Sequence, residues 1–223
     1  MAIDLAEFDD VDDAVRFGAG LATASARDDE DVPRLVALLE DARPRVRSTA
    51  LYTLGQLATS VETAPDSPHK RAVESTFAAV HARFGDGEAQ VRGAAFSALF
   101  FYGPVQRDRA RWFSVACDGL ASDDPDVRAT AAMAVHRFDP TSELAARGFA
   151  RILEEDERPM SNGWQEAAMM LEEMGSAGAP AVSALLARFR ATDRYDDLWS
   201  SLLAALDAIG TVEALSVVAE NSA

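Results

Sequence analysis

The sequence predicts an all-α protein, an α-solenoid of about five to six antiparallel helix pairs. Three observations carry that prediction. The pattern Val-Arg-x-x-Ala occurs three times, at Val46 to Ala50, Val91 to Ala95 and Val127 to Ala131. Apolar residues around each copy recur with the 3.6-residue period of a helix, and no stretch alternates with a period of two between hairpin turns. Glycines at 55, 103, 175 and 210 follow apolar helical runs as stops, while Pro33, Pro44, Pro68, Pro104, Pro125 and Pro180 stand where helices are expected to begin.

Taken in order, residues 1–30 read as an N-terminal cap. Its helix, Asp9 to Ala26, carries its acids in the first turn, where the helix dipole favours them. Residues 31–138 hold the three clear repeats. Each pattern follows an apolar run, Leu35 to Leu39, Phe77 to Phe84 or Trp112 to Leu120, and then a turn rich in acid or proline. The valines lie 45 and 36 residues apart, near the ~40–47 of two-helix repeats. Residues 139–223 read as degenerate continuations, with second helices at Trp164 to Gly175 and Trp199 to Gly210. The whole chain, 1–223, is expected to be one repeat domain.

On these strings the chain resembles the HEAT or HEAT-like (phycobilisome-lyase type) repeat family. The resemblance implies two antiparallel helices per repeat, the second opening with Val-Arg-x-x-Ala and lining a concave side. It also implies a ladder of Arg47, Arg92 and Arg128 with Asp41, Asp86 and Asp123 or Asp124, joining adjacent repeats. The periodicity agrees independently. Val46, Ala50, Leu54 and Leu57 share one helical face, as do Val91, Ala95 and Leu99, and Val127, Ala131 and Val135.

Charge narrows the partners. Asp and Glu total 37 against 21 Lys and Arg, a net charge of -16 over 223 residues. Such a surface opposes bare nucleic acid and anionic membranes, because phosphate contacts need clustered cations. Lys70 is the only lysine and Asp outnumbers Glu, a bias that matches both a halophilic surface and a GC-rich genome. A basic partner or a salty solvent suits the acidity. The single Cys117 cannot close an internal disulfide, no basic and apolar leader precedes the first repeat, and the longest uncharged stretch, Gly93 to Val105, is too short to span a bilayer. A cytoplasmic location is expected.

Catalytic patterns are weak. His69, His81 and His136 lack metal-ligand spacing, Gly18-Ala19-Gly20 lacks the third glycine of a dinucleotide fingerprint, and the acidic clusters lack a calcium-loop register. No cofactor or metal is expected. Cys117, beside Val115 and Ala116, reads as a packed small hydrophobe. Trp112, Trp164 and Trp199 invite comparison with HEAT-like alkylpurine DNA glycosylases, whose resemblance implies a basic concave face that a chain at -16 lacks.

The remaining signal is a surface. The sixth residue after each repeat valine is Tyr52, Ser97 or Met133, and the tenth is Gln56, Phe101 or Arg137. At 100° per residue both columns point away from the apolar face. Tyr, Phe, Met and Arg are types enriched at interface centres, and Phe101 is expected to stand outward as the anchor. The reading is therefore a non-enzymatic scaffold or adaptor for a protein partner, basic in its docking segment or a second copy of the chain. The alternatives are a HEAT-like enzyme of bilin-lyase or glycosylase type, and an acidic inhibitor or immunity-type protein whose surface imitates nucleic acid.

Overall fold

The computed structural model describes residues 28–59, 75–102, 109–155, 163–194 and 196–221. The helix expected over Asp9 to Ala26, Pro68, Gly103 and Pro104 lie outside them. Among the described residues every regular element is a helix and none is a strand. The chain divides into two compact units, Met1–Arg109 and Ala110–Ala223.

In the first unit the helices are α1 (Asp28–Leu38), α2 (Pro44–Thr59), α3 (Phe77–Ala82), extended by a 3₁₀ turn (Arg83–Gly85), and α4 (Ala89–Tyr102). Helix α1 packs on α2, and α2 lies along α4. Their common core takes Val32 and Leu35 from α1, Leu51 and Leu54 from α2, Val80 from α3 and Val91 and Ala95 from α4. Each buried leucine contributes roughly 1.5–3 kcal/mol relative to exposure. Tyr102, wholly buried, closes the end of α4: its hydroxyl lies 2.7 Å from Thr76 Oγ1 and its ring 4.8 Å from Phe77.

Two punctuation marks act differently from expectation. Gly55 is not a stop but a buried position inside α2. A Cβ there would lie 3.0 Å from Ala98 Cα and from Phe101 Cδ2, so the missing side chain is what lets α2 and α4 approach. Pro33 stands inside α1 and not at its start, because the helix begins earlier, at Asp28. Pro44 and Pro125 do open their helices, where the lost N–H has no intrahelical acceptor to miss.

In the second unit the helices are α5 (Arg109–Gly119, whose first residue belongs to the preceding unit), α6 (Pro125–Phe138), α7 (Glu143–Glu154), α8 (Gly163–Met174), α9 (Val182–Ala191), α10 (Asp197–Ile209) and α11 (Val212–Asn221). Helix α6 packs on α7, α7 on α8 and α9, α8 and α9 on α10, and α10 on α11; α6 also touches α8. Asp124 caps α6, accepting from the Asp126 and Val127 N–H groups at 3.0 and 3.1 Å. Asp196 caps α10 through Leu198 N–H at 2.9 Å. Gly210 ends α10 at φ 70° and Gly175 follows α8 at φ 54°, left-handed conformations that favour glycine. A 3₁₀ segment, Gly175–Ala181, carries Pro180 into α9. The two degenerate second helices, α8 and α10, thus lie where the apolar pattern puts them.

Candidate protein-docking face

The three pattern arginines occupy one structural role. Arg47 Nη1 donates to the carbonyls of Asp41 and Ala42 at 2.8 and 3.2 Å, Arg92 Nη1 to Asp86 and Gly87 at 2.8 and 3.1 Å, and Arg128 Nη1 to Ser122 and Asp123 at 2.8 and 2.9 Å. Each arginine therefore pins the loop that precedes its own helix by backbone oxygens. The rest of the fork reaches onward: Arg47 Nε and Nη2 donate to the two oxygens of Asp86 at 3.0 and 2.8 Å, and Arg128 Nη2 donates to Glu155. That bidentate geometry is the strong form of an ion pair. Burial alone would raise the Asp86 pKa, but the Arg47 hydrogen bonds, the Glu88 N–H and the charges of Arg47 and Arg83 outweigh it and hold the carboxyl low.

The ladder exists with different rungs from those expected. The Asp41 carboxylate serves Arg43, at 3.0 and 3.1 Å, and not Arg47. Asp124 is spent on capping, and Asp123 contributes its carbonyl. Glu155, which sequence reasoning missed, replaces them as the acid for Arg128. The C-terminal end of α7 is also held by Arg188, whose Nε and Nη2 donate to the Leu153 and Glu155 carbonyls, both at 2.7 Å, while its guanidinium stacks 3.8 Å over Trp164. No repeated string marks Arg188, so only the structure finds it.

Chemistry has little to work with among the described residues. No group of three or more His, Cys, Asp or Glu side chains is placed to hold a metal. Cys117 is half-buried, and burial together with Asp118 pushes its thiol pKa up, away from the reactive thiolate. His81 lies edge-on to Phe84, and His136 is buried edge-on to Phe149 with its Nε2 3.7 Å from Glu173 Oε2. His69 is outside the described residues. Trp112 is buried, and Trp199 packs on Phe189 at 5.2 Å.

The outward columns fare unequally. On α2, Tyr52 is 43% exposed and Gln56 is exposed beside it; on α4, Ser97 and Phe101 are half-buried. Phe101 does not stand clear as expected. It lies over Gly55, in the room that glycine leaves, and meets Phe100 edge-on at 5.2 Å. In the second unit Met133 is half-buried and Arg137 exposed on α6. The structure brings Tyr52, Gln56 and Phe101 to neighbouring helices of one unit and places Met133 and Arg137 on one helix of the other.

The register continues one repeat further than the strings do. The buried positions Val127, Ala131, Val135 and Phe138 of α6 correspond to Gly163, Ala167, Leu171 and Met174 of α8, each 36 residues on. The two column positions on α8 are then Met169 and Glu173. Met169 is 49% exposed, and the Glu173 side chain is 65% exposed. Among the described residues the exposed large apolar side chains are Tyr52, Leu144, Met169, Val212 and Leu215. Two of them share one register position on second helices. The repeated 36-residue spacing was the signal that would have found Met169 in the sequence.

Residues 32–61 match the model of the HEAT repeat. Among solved structures the chain is similar to an engineered protein from a structural genomics consortium, with a TM-score of 0.62 and 20% identity over 92% of this chain and 96% of that one. It is also similar to a designed armadillo repeat protein, with a TM-score of 0.52 and 15% identity over 94% and 96%. At these identities the likeness is one of fold: stacked helical repeats. No curated protein sequence matches the chain. No helix among the described residues is long and apolar enough to cross a membrane.

Proposed function

We propose that this protein is a non-enzymatic, cytoplasmic scaffold that binds a protein partner through exposed side chains of its second helices, each unit taken by itself. The observation that carries the reading is the shared register of Tyr52 and Met169. An exposed apolar side chain contributes to binding when a partner covers it, and Tyr and Met are residue types enriched at such centres. The partner's docking segment is basic, since a chain at -16 repels acidic surfaces and attracts cationic ones.

The test is Tyr52→Asp in the full chain. Its ring lies outside the core, so the helical circular dichroism and the melting temperature stay as in the wild type. Affinity for a purified partner falls at least about tenfold, as it does for a residue at an interface centre. Unchanged affinity in the folded variant would remove Tyr52 from the face and the column reading with it.

A further inference from the structure

Resting on that reading, we propose that helix α8 is the docking site for a short basic, amphipathic helix of the partner. Glu166, Met169, Met170 and Glu173 fall at i, i+3, i+4 and i+7, one stripe of α8, while Ala167, Ala168, Leu171 and Met174 are buried on the opposite side. The stripe is apolar in the middle and acidic at both ends, and α8 contains no lysine or arginine. A solvated helix in an ion-paired surface mixes both signs; this one does not. Among the described residues no arginine pairs with Glu166 or Glu172, and Glu173 meets only the imidazole of buried His136.

That pattern selects its occupant. Unbranched methionines adapt to varied apolar side chains, which suits the apolar face of a helix laid against them. Carboxylates flanking the methionines match lysines or arginines flanking that apolar face and set its direction along α8. A second copy of the chain is disfavoured, because it brings another net charge of -16 against the same glutamates. Helices α2 and α4 of the first unit contain no acidic residue, so they offer a basic helix no carboxylate of their own. Met133 stands at the same register position on α6, a helix that touches α8.

The experiment is a titration of the full chain with a fluorescent Leu/Lys amphipathic peptide of about four helical turns, followed by anisotropy at low and high salt. Saturable binding that weakens with salt is expected, and a Leu/Glu peptide of the same pattern does not bind. Met169→Ala weakens the Leu/Lys peptide at least about fivefold. The double variant Glu166→Gln, Glu173→Gln weakens it further and flattens the salt dependence. Both substitutions are on an exposed face, so the circular dichroism is unchanged. Failure of the peptide to bind, or equal binding by the α8 variants, overturns the assignment. If Tyr52→Asp abolishes peptide binding while the α8 variants do not, the scaffold reading stands and the site moves to the first unit.

Discussion

Helices α2 and α4 of the first unit contain no acidic residue, whereas α8 and α10 of the second contain Glu166, Glu172, Glu173, Asp197 and Asp207 and no basic one. The excess negative charge of the chain is therefore sorted by helix. The joints differ too. In the first unit an arginine from the repeated pattern forks onto Asp86, and Gly55 lets α2 and α4 approach closely. In the second, Arg188 holds the C-terminal end of α7 by two carbonyls and stacks on Trp164. Repeats of one ancestry of pattern can thus keep their packing while exchanging both the polar joint and the surface they present.

The largest expected effect breaks the close approach. Gly55→Leu places a branched side chain where even a Cβ meets the Ala98 backbone at 3.0 Å, so the first unit is destabilised by about 3 kcal/mol. Hydrogen exchange should accelerate in α1 to α4 and far less in α8 to α11. Uniform acceleration along the chain would show that the two units unfold as one.

The polar joint comes next. Asp86→Ala leaves the Arg47 fork, which is mostly buried, without its acceptor, at about 2 kcal/mol. Asp41→Ala removes the more exposed pair with Arg43 together with the bond from the Arg43 N–H, and changes stability by about 1 kcal/mol. Chemical denaturation of the two variants measures the difference, and equal effects would deny Arg47–Asp86 its role between repeats. In the second unit Trp164→Leu removes the stacking surface under Arg188, a loss of about 1 kcal/mol from the cation–π contact. Arg188→Lys should fare worse, because an ammonium cannot reach both carbonyls in one plane.

The smallest effect is a divergence in acid. Hydrogen bonds from Arg43 lower the Asp41 pKa, and the net effect at Asp86 is also downward from 3.8. Their stabilisation is present above the unfolded value and is lost as pH falls through the lowered folded values. Asp126 is the opposite case: burial, then Asp124 and Glu155, raise its pKa, so its charge opposes folding at neutral pH and protonation relieves that as pH falls. Between pH of about 5 and about 3 the first unit should lose exchange protection ahead of α6. The reverse order would contradict the assigned directions.

Much of this was legible in advance, and for physical reasons. A repeat that must bury one helical face shows its period in the sequence, which is why α2, α4 and α6 start at the recurring strings and why α8 and α10 were visible without them. The glycine stops worked at Gly175 and Gly210, where local left-handed geometry decides. They failed at Gly55, because the sequence does not distinguish a glycine that ends a helix from one a neighbouring helix requires. Phe101 was misjudged for the same reason: its burial depends on the space over Gly55, a property of two helices and not of one. Of the ladder's acids, Asp86 was foreseen and meets Arg47, whereas Glu155 was not, since it lies outside any repeated string. Met169 holds on α8 the register position that Tyr52 holds on α2, and the 36-residue spacing that leads to it was already present in the sequence.

The claim that second helices carry the docking face is tested most directly by benzophenone cross-linking from single positions in the intact cell. Probes at Tyr52 and Met169 are compared with probes at the exposed first-helix positions Ala78 and Ser114. The account predicts a discrete protein adduct from Tyr52 and Met169 and none from Ala78 or Ser114. Adducts from the first-helix positions, with Tyr52 and Met169 silent, would contradict it.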